Sequence, residues 1–373
     1  MLQSLPVVMY HSVHTWHNRG LVISPELFDE QCRAMVEAGW RCASLSEAED
    51  YLLHGSRLPP RTAWLTFDDG YLDNYVYAWP ILKKYGLHGT ICATLELVES
   101  VGAPRLTLED VWEGRAGMED LPVAGNPMQP HPELGFEERK DTFLSWEEVR
   151  RMEASGVMHT IAHSLRHDKV FVSPRYEGFF QPKKRVRTFD RVRGQILWGL
   201  PCFEIEAALA SRAFIPSEKL LEAVAGLVPQ DKIAAHAFFQ DADKVADLEQ
   251  LVAGFAPEEL GALESESAMF ERFKAEFARC KERLEAETAS PVRTFCWPWG
   301  KFSAPAREAA KEVGFSVFVT TAPGANRPGR PEAVKRINVK ARPPKELLKR
   351  MELHTHPWLA DIYKSLRFRW KWK

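Results

Sequence analysis

The stretch Ala63-Trp64-Leu65-Thr66-Phe67-Asp68-Asp69-Gly70 starts as an apolar run and ends in two adjacent carboxylates and a glycine. The apolar part predicts a buried β-strand, and Gly70 permits a sharp exit from it. Two neighbouring carboxylates in such a place are costly unless a cation or a reaction uses them. Because side chains alternate along a strand, Asp68 and Asp69 can serve different roles, one at a metal ion and one at a water molecule. A plain Asp-Asp-Gly turn is the alternative interpretation.

Outward from this strand, short apolar runs alternate with amphipathic segments. Further strands are predicted at 6–13, 42–45, 89–95, 160–163, 294–297, 316–320 and 336–339, and helices at 26–37, 46–54, 74–85, 145–156, 257–287 and 304–313. An order of this kind predicts an α/β fold with a parallel sheet and crossover helices, either open or closed. In both versions, ligands bind at the carboxyl ends of the strands.

Two long segments interrupt this order. The first covers about residues 98–142 and is rich in Gly, Pro, Glu and Met, which is typical of a loop or insertion. The second covers about 171–256 and shows helical patterns near 204–214, 217–227 and 244–253, but no clear barrel strand. We therefore expect one barrel domain over 1–345 that contains both insertions, followed by a basic and aromatic tail at 346–373.

Two more strand ends carry chemical signals. His163-Ser164-Leu165-Arg166-His167 places imidazoles at i and i+4, which can converge on one metal ion and, with one carboxylate, leave positions open for water and substrate. Two surface histidines are the alternative, since His159 is also close by. The aromatic run Phe295-Cys296-Trp297-Pro298-Trp299-Gly300 could form the wall of a sugar site. Core packing followed by a turn is the simpler explanation for that run taken alone.

Taken together, the three signals resemble the motifs of the polysaccharide deacetylase family, also called the NodB-homology or carbohydrate esterase 4 group. The resemblance covers roughly residues 5–97, 143–168 and 288–340, including supporting pieces at 6–11 and 336–339. It implies a distorted (β/α) barrel of NodB-homology type and the hydrolytic removal of N-acetyl groups from a sugar. It also implies that Asp68 is the general base, and that the backbone N–H of Trp299 helps to hold the oxyanion. The resemblance further implies a divalent cation, usually zinc, on Asp69, His163 and His167.

The sequence departs from the family pattern at two positions. Many members place an arginine, braced against the catalytic aspartate, where this chain has Cys296, and whether the nearby Arg293 can replace it is open. Many members also supply the general acid from a Leu-x-His motif near the end of the barrel, for which no clear equivalent is present. Members that resemble this chain open with a Tyr-His pair on the first strand. His11 is therefore the better candidate for the acid or a substrate contact, with His354 as the alternative.

The overall composition limits the binding partners and the cellular compartment that can be expected for this protein. A net charge of −2 gives no global indication of nucleic-acid binding. The six scattered cysteines suggest reduced thiols in the cytoplasm, and the N-terminus shows no secretory signal. A basic cluster could hold the phosphate of a lipid-linked or nucleotide-linked sugar, although a solvated surface is the simpler interpretation. Its members are Arg175, Lys183, Lys184, Arg185, Arg187, Arg191 and Arg193. The tail at 364–373 interleaves cations with aromatics, as in an anchor at an anionic membrane surface, a disordered tail or a surface helix.

Two other functions are also compatible with the sequence. The first is a catalytically silent, carbohydrate-binding relative, which the intact motif residues argue against. The second is a metal-dependent amidase or imidase that acts on a small non-sugar amide. No Gly-x-Ser-x-Gly motif is present, so a serine nucleophile is not suggested.

Overall fold

The computed structural model describes residues 3–14, 20–122, 128–131, 135–138, 140–182, 194, 196–339 and 341–369. The strands, in chain order, are β1 Val7–Tyr10, β2 Ser12–Val13, β3 Val22–Ile23, β4 Arg41–Cys42, β5 Thr62–Asp69, β6 Gly89–Ala93, β7 Met128–His131, β8 Gly135–Glu138, β9 Met158–Ala162, β10 Lys169–Phe179, β11 Pro201–Ala207, β12 Phe214–Pro216, β13 Gly261–Leu263, β14 Thr294–Cys296, β15 Val317–Val319 and β16 Ile337–Asn338. The helices are α1 Pro25–Glu37, α2 Leu45–His54, α3 Trp79–Tyr85, α4 Leu108–Trp112, α5 Trp146–Ala154, α6 Glu218–Leu227, α7 Lys232–Phe238, α8 Ala242–Ala253, α9 Glu266–Thr288, α10 Ala304–Val313, α11 Pro344–Thr355 and α12 Pro357–Arg369.

One curled parallel sheet organises the chain. Its strands lie in the order β15-β14-β9-β6-β5-β1-β16, and β4 pairs with the start of β5. Every pairing in this sheet is parallel, and helices connect successive strands, so the carboxyl ends of β1, β5, β9 and β14 lie at the same edge. The expectation of a distorted (β/α) barrel of NodB-homology type is confirmed.

The two faces of the sheet belong to different hydrophobic clusters. The concave face contributes a smaller cluster that includes Val7, Trp64, Cys92, Ile161 and Val319, and α2 packs into the same cluster. The convex face and the outer helices form the larger cluster. Residues of one strand alternate between the two clusters, as in Trp64 and Leu65, because successive side chains point to opposite faces.

Local sequence signals set the helix ends near the site. Ser24 accepts a hydrogen bond from the Leu27 backbone N–H before Pro25 opens α1. Ser145 and Glu148 form a reciprocal capping box at the start of α5. The helix expected over 74–85 is present, but its first turn, Asn74–Ala78, is a π-helix.

Part of the second insertion has a secondary structure different from the one that its sequence pattern predicts. The interpretation of 204–214 as a helix is wrong, because β11 pairs antiparallel with β10, and β12 follows as a short strand. Phe203 and Ala207 are buried while Glu204 is exposed. This alternation of buried and exposed side chains is that of a strand and not of a helix. The helix expected from 257 begins only at Glu266, since β13 first pairs with β12 and Ser265 caps α9.

The region after β9 has a hydrophobic cluster of its own. It is built from β10, β11, β12 and α6 to α8, with members such as Phe171, Phe203, Val224 and Leu248. The helical patterns expected at 217–227 and 244–253 correspond to α6 and α8. We propose, on this basis, that the barrel over 1–345 contains insertions at about 98–142 and 171–256. At the other end, α11 packs against α1, and α12 follows it in the tail region 346–373.

Candidate active site and metal centre

Asp68 and Asp69 end β5 at the rim of the barrel. They lie in register with Cys92 and Ala93 of β6, and both carboxylates are buried. Asp69 and Gly70 adopt left-handed φ angles of 76° and 79°, which turn the chain sharply away from the sheet. A Cβ atom on Gly70 would lie 3.4 Å from the Ala93 Cα, so both the φ angle and the space favour glycine there.

The turn that carries His163 and His167 follows β9 and is fixed from three directions. The Ser164 carbonyl accepts from the Leu95 backbone N–H at 3.1 Å, and the Glu276 carboxylate on α9 accepts from the Leu165 backbone N–H at 2.8 Å. Within the turn, the Ser164 hydroxyl accepts from the His167 N–H at 2.9 Å. Ser164 and His167 have left-handed φ angles of 69° and 56°, so these contacts hold a backbone that non-glycine residues seldom adopt.

These two strand ends bring three potential ligands together. The Nε2 atoms of His163 and His167 lie 3.5 Å and 3.9 Å from Asp69 Oδ1, and all three residues are buried. His163 Nδ1 contacts the Cys296 carbonyl at 2.8 Å and therefore donates to it, which leaves Nε2 as the ligand atom. Ligand atoms of the three residues lie within 4.8 Å of one another. A set of two imidazoles and one carboxylate fits a divalent cation such as zinc.

The Asp68 carboxylate forms an ion pair with Arg336. Arg336 Nη1 donates to Asp68 Oδ1 at 2.6 Å, and Nη2 donates to Oδ2 at 2.8 Å. The guanidinium, itself fully buried, also donates from Nε to the Thr320 carbonyl at 2.8 Å. Arg336 thus links the segment after β15 to β5 across the concave side of the barrel. Arg293 is not the residue that fulfils this role.

The charge state of Asp68 follows from these neighbours. Burial would raise the pKa of this carboxyl, but the Arg336 guanidinium and then the His11 imidazole outweigh burial and hold the pKa well below its usual range. Cys296, which stands where many relatives have arginine, contacts Asp68 Oδ1 with its Sγ atom at 3.8 Å. The ionised form of Asp68 therefore persists in spite of its burial.

His11 follows β1 and faces the same carboxylate. Its Nε2 atom lies 3.8 Å from Asp68 Oδ2, and 12% of the side chain is exposed. His11 is therefore beside Asp68 and accessible to a bound molecule. His354 lies elsewhere, in α11, where Nδ1 contacts the Arg350 carbonyl at 2.8 Å and the ring meets Tyr363.

Trp299 lies at the rim beside His167. Its ring centroid is 4.0 Å from that of His167, and its φ angle of 55° is left-handed. Lys169 Nζ lies 5.3 Å from the centroid of the same ring, in cation–π range. The adjacent Gly300 could not carry a side chain, because a Cβ atom would fall 2.3 Å from the Thr321 hydroxyl. The fold thus fixes the backbone at Trp299 beside the ligand cluster.

Sequence reasoning missed two contributors to this site. Arg336 belongs to the supporting segment 336–339, but nothing local to that segment indicates that it pairs with Asp68. Glu276 lies in a predicted helix, where one acidic residue among many carries no sign of its bond to the Leu165 backbone. The one feature that could have drawn attention to Arg336 is a charged residue at the first position of the last predicted strand.

Comparisons with known proteins agree with this geometry. A family model described as Polysaccharide deacetylase matches residues 55–196, a range that contains Asp68, Asp69, His163 and His167. YxkH of Bacillus subtilis (strain 168), a protein named for the same family, is 34% identical over 87 residues. That match covers 23% of this chain and 30% of the length of YxkH.

Solved structures extend the likeness to the whole fold. The de-N-acetylase of Aggregatibacter actinomycetemcomitans aligns with a TM-score of 0.58 at 18% identity, over 93% of this chain and 99% of that one. The deacetylase domain of BpsB from Bordetella bronchiseptica gives 0.54 at 18% identity, over 90% and 96% of the two chains. IcaB from Ammonifex degensii gives 0.52 at 19% identity, over 95% and 98%. At such identities the alignments establish the fold alone, and the family model and the match to YxkH show that part of the chain is similar to polysaccharide deacetylases.

Proposed function

We propose that this protein is a metal-dependent hydrolase that removes N-acetyl groups from an N-acetylated sugar. The observation that carries the proposal is the close approach of two sets of residues. One is the ligand cluster of Asp69, His163 and His167, and the other is the ionised Asp68 beside His11. A cation site, a carboxylate base and an imidazole acid at one rim are the parts that hydrolysis of an unreactive amide needs.

The chemistry divides among the residues as follows. A divalent cation on Asp69, His163 and His167, most suitably zinc, would polarise the acetyl carbonyl and acidify the attacking water. Asp68 accepts a proton from that water, and Arg336 keeps the carboxylate ionised and oriented for the transfer. The proposed role of the Trp299 backbone N–H is to donate to the developing oxyanion.

The leaving amine must take up a proton before the C–N bond breaks. His11 lies 3.8 Å from Asp68 and is partly exposed, so its imidazolium can reach the amine nitrogen from the same side of the site. The products are acetate and a free amino sugar. No covalent intermediate with the protein is required, which agrees with the absence of a serine nucleophile motif.

The test is release of acetate from three groups of compounds, namely N-acetylated oligosaccharides, lipid-linked N-acetylated sugars and small cyclic imides. We expect release from a sugar, its loss on chelation, and its return with zinc. Hydrolysis of imides alone would instead establish the amidase alternative. Sugar binding without any acetate release from metal-loaded protein would establish the silent carbohydrate-binding alternative.

We also propose that the enzyme works in the cytoplasm and contacts the inner membrane surface through α12. Among the described residues, no helix is long and apolar enough to cross a membrane. Trp358 and Ile362 lie one helical turn apart on α12 and are 61% and 51% exposed. Five of the last ten residues are basic and none is acidic, a charge pattern that suits anionic lipids. All six cysteines are free, which supports a reducing compartment.

Co-sedimentation with lipid vesicles tests the membrane contact. We expect binding to vesicles that contain anionic lipid, release by salt, and weak binding to neutral vesicles. The double variant Trp358→Glu/Ile362→Glu should stay in the supernatant, whereas Lys244→Glu, on a different surface helix, should bind as before. The basic cluster proposed to hold a lipid-linked phosphate lies outside the described residues except for Arg175, which pairs with Glu204.

A further inference from the structure

The main sheet does not fix the position of His11. The pairing between β1 and β5 ends at Tyr10 and Phe67, one residue before His11 and Asp68 on their respective strands. After His11 the chain leaves the sheet and forms β2, which pairs with β3 and with no other strand among the described residues. Something other than the β-ladder must therefore hold the His11 backbone in its place beside Asp68.

The turn after Asp69 supplies those contacts. Asn74 Nδ2 donates to the His11 carbonyl at 2.9 Å. The neighbouring Asp73 accepts from the Ser12 hydroxyl through Oδ2 and from the Val13 backbone N–H through Oδ1, the latter at 3.1 Å. Two consecutive residues of the turn thus hold three consecutive residues of the segment that carries the imidazole.

The Asn74 and Asp73 side chains are both buried, and their burial is energetically unfavourable. Asn74 is fully buried, and its Oδ1 atom has no hydrogen-bond partner among the residues that the structure describes. Burial of an unsatisfied amide oxygen is unfavourable, so an apolar side chain would be the better choice for stability. Asp73 is 3% exposed and has no cation among its hydrogen-bond partners, and burial raises its pKa to about 7. Residues retained at such a cost are candidates for a role in function.

We propose that Asp73 and Asn74 are positioning residues that hold the His11 imidazole against Asp68. One continuous stretch, residues 68–74, then contains the base, a metal ligand and the clamp for the acid. Loss of the clamp displaces the proton donor without removing a ligand or the base. The inference rests on the proposed role of His11 as general acid, and the test below separates the two.

Asn74→Ala is the main variant, and Asn326→Ala is its matched control. Asn326 is also a buried asparagine, and its Nδ2 atom donates to the Leu5 carbonyl at 2.9 Å, at the opposite end of β1. We expect Asn74→Ala to lower kcat on the order of ten- to a hundredfold, the scale of a small misplacement of a catalytic group, with metal content and KM nearly unchanged. Asn326→Ala should lower the melting temperature but leave kcat within about twofold of the parent.

The combination with His11→Ala decides between positioning and general structural damage. If Asn74 acts through His11, then Asn74→Ala in a His11→Ala background should change kcat by less than about twofold. The basic limb of the pH–rate profile, which reports the acid, should also move in Asn74→Ala but not in Asn326→Ala. Asp73→Asn, which retains one acceptor oxygen, should show a smaller loss of the same kind.

The outcomes are distinguishable. A His11→Ala enzyme with the parent rate would overturn the acid assignment itself. A crippled His11→Ala enzyme in which Asn74→Ala multiplies the loss independently would overturn the positioning role alone. Equal effects of Asn74→Ala and Asn326→Ala on kcat would also overturn it, because both would then act through stability.

Discussion

Arg336 and Asp68 form a buried, two-bonded ion pair that joins the last strands of the barrel to β5, with donor–acceptor distances of 2.6 Å and 2.8 Å. The pair spans β1, which lies between β5 and β16 in the sheet. It explains how Asp68 stays ionised without the arginine that many relatives place at the position of Cys296. In this chain Arg336, which directly precedes β16, forms the contact with Asp68.

Replacement of Arg336 alone should strongly lower both the stability of the fold and the rate of the reaction. Arg336→Met leaves Asp68 as a buried charge without its counter-ion and should cost about 3–5 kcal/mol of unfolding free energy. The double variant Arg336→Met/Asp68→Asn should recover much of that loss while remaining inactive. Urea unfolding of the parent, both single variants and the double variant measures this coupling. Additive losses would contradict it.

Arg336→Lys is the more delicate test of the same pair. Lysine keeps the charge but cannot donate two parallel hydrogen bonds to one carboxylate. We expect a folded, metal-containing enzyme with kcat reduced about tenfold or more, since the orientation of Asp68 is lost. Steady-state kinetics with metal analysis checks this, and an unchanged kcat would show that charge alone suffices.

The ligand assignment predicts the metal content of two variants. Asp69→Ala and His167→Ala should each lose the divalent cation, because each removes one of three ligands. His159→Ala serves as the control, since His159 Nδ1 pairs with Glu153 at 2.7 Å away from the cluster. Elemental analysis of the purified proteins is the measurement. Full metal occupancy in both ligand variants would refute the assignment.

The two candidate acids should respond differently to alanine. His11→Ala should lose on the order of a hundredfold in rate, the usual scale for a general acid, and the basic limb of its pH–rate profile should change. His354→Ala should affect stability more than rate, because His354 packs on Tyr363 within the C-terminal helices. The reverse pattern would mean that the acid comes from the C-terminal region.

Asp73 gives a pH dependence of stability with a definite sign. Burial raises its pKa in the folded protein to about 7, above the ordinary value of 3.8 that applies in the unfolded chain. Between those two values the folded state retains a proton that the unfolded state releases, so this group makes the free energy of unfolding fall as pH rises from about 4 to about 7. Asp73→Asn should remove this contribution. The free energy of unfolding of the variant, relative to that of the parent, should therefore be higher at pH 7 than at pH 4.5. Chemical denaturation at both values measures the difference.

The sequence indicated the parts of the site that local patterns encode. Asp68, Asp69, His163 and His167 follow apolar strands, and parallel strands bring their carboxyl ends to one edge, so their convergence could be expected. The Tyr10-His11 pair was found in the same way.

Other parts depend on contacts that no local pattern contains. The pairing of Arg336 with Asp68 needs the curvature of the whole sheet, because the residues are 268 positions apart in the chain. The hairpin of β10 and β11 was predicted partly as a helix, since its strand alternation is short and irregular, with register shifts along the pair. The clamp formed by Asp73 and Asn74 was invisible because two polar residues at a helix start are common.

The long separation between Arg336 and Asp68 also sets an order of events during synthesis. The motifs with the proposed base and the proposed metal ligands are made early, while Arg336, the counter-ion of Asp68, is among the last parts of the barrel to be translated. A nascent chain, or one cut before residue 336, therefore contains every ligand residue and yet holds Asp68 without its arginine. Under the proposed roles, we expect such a chain to be inactive until residue 336 is in place and the barrel can close.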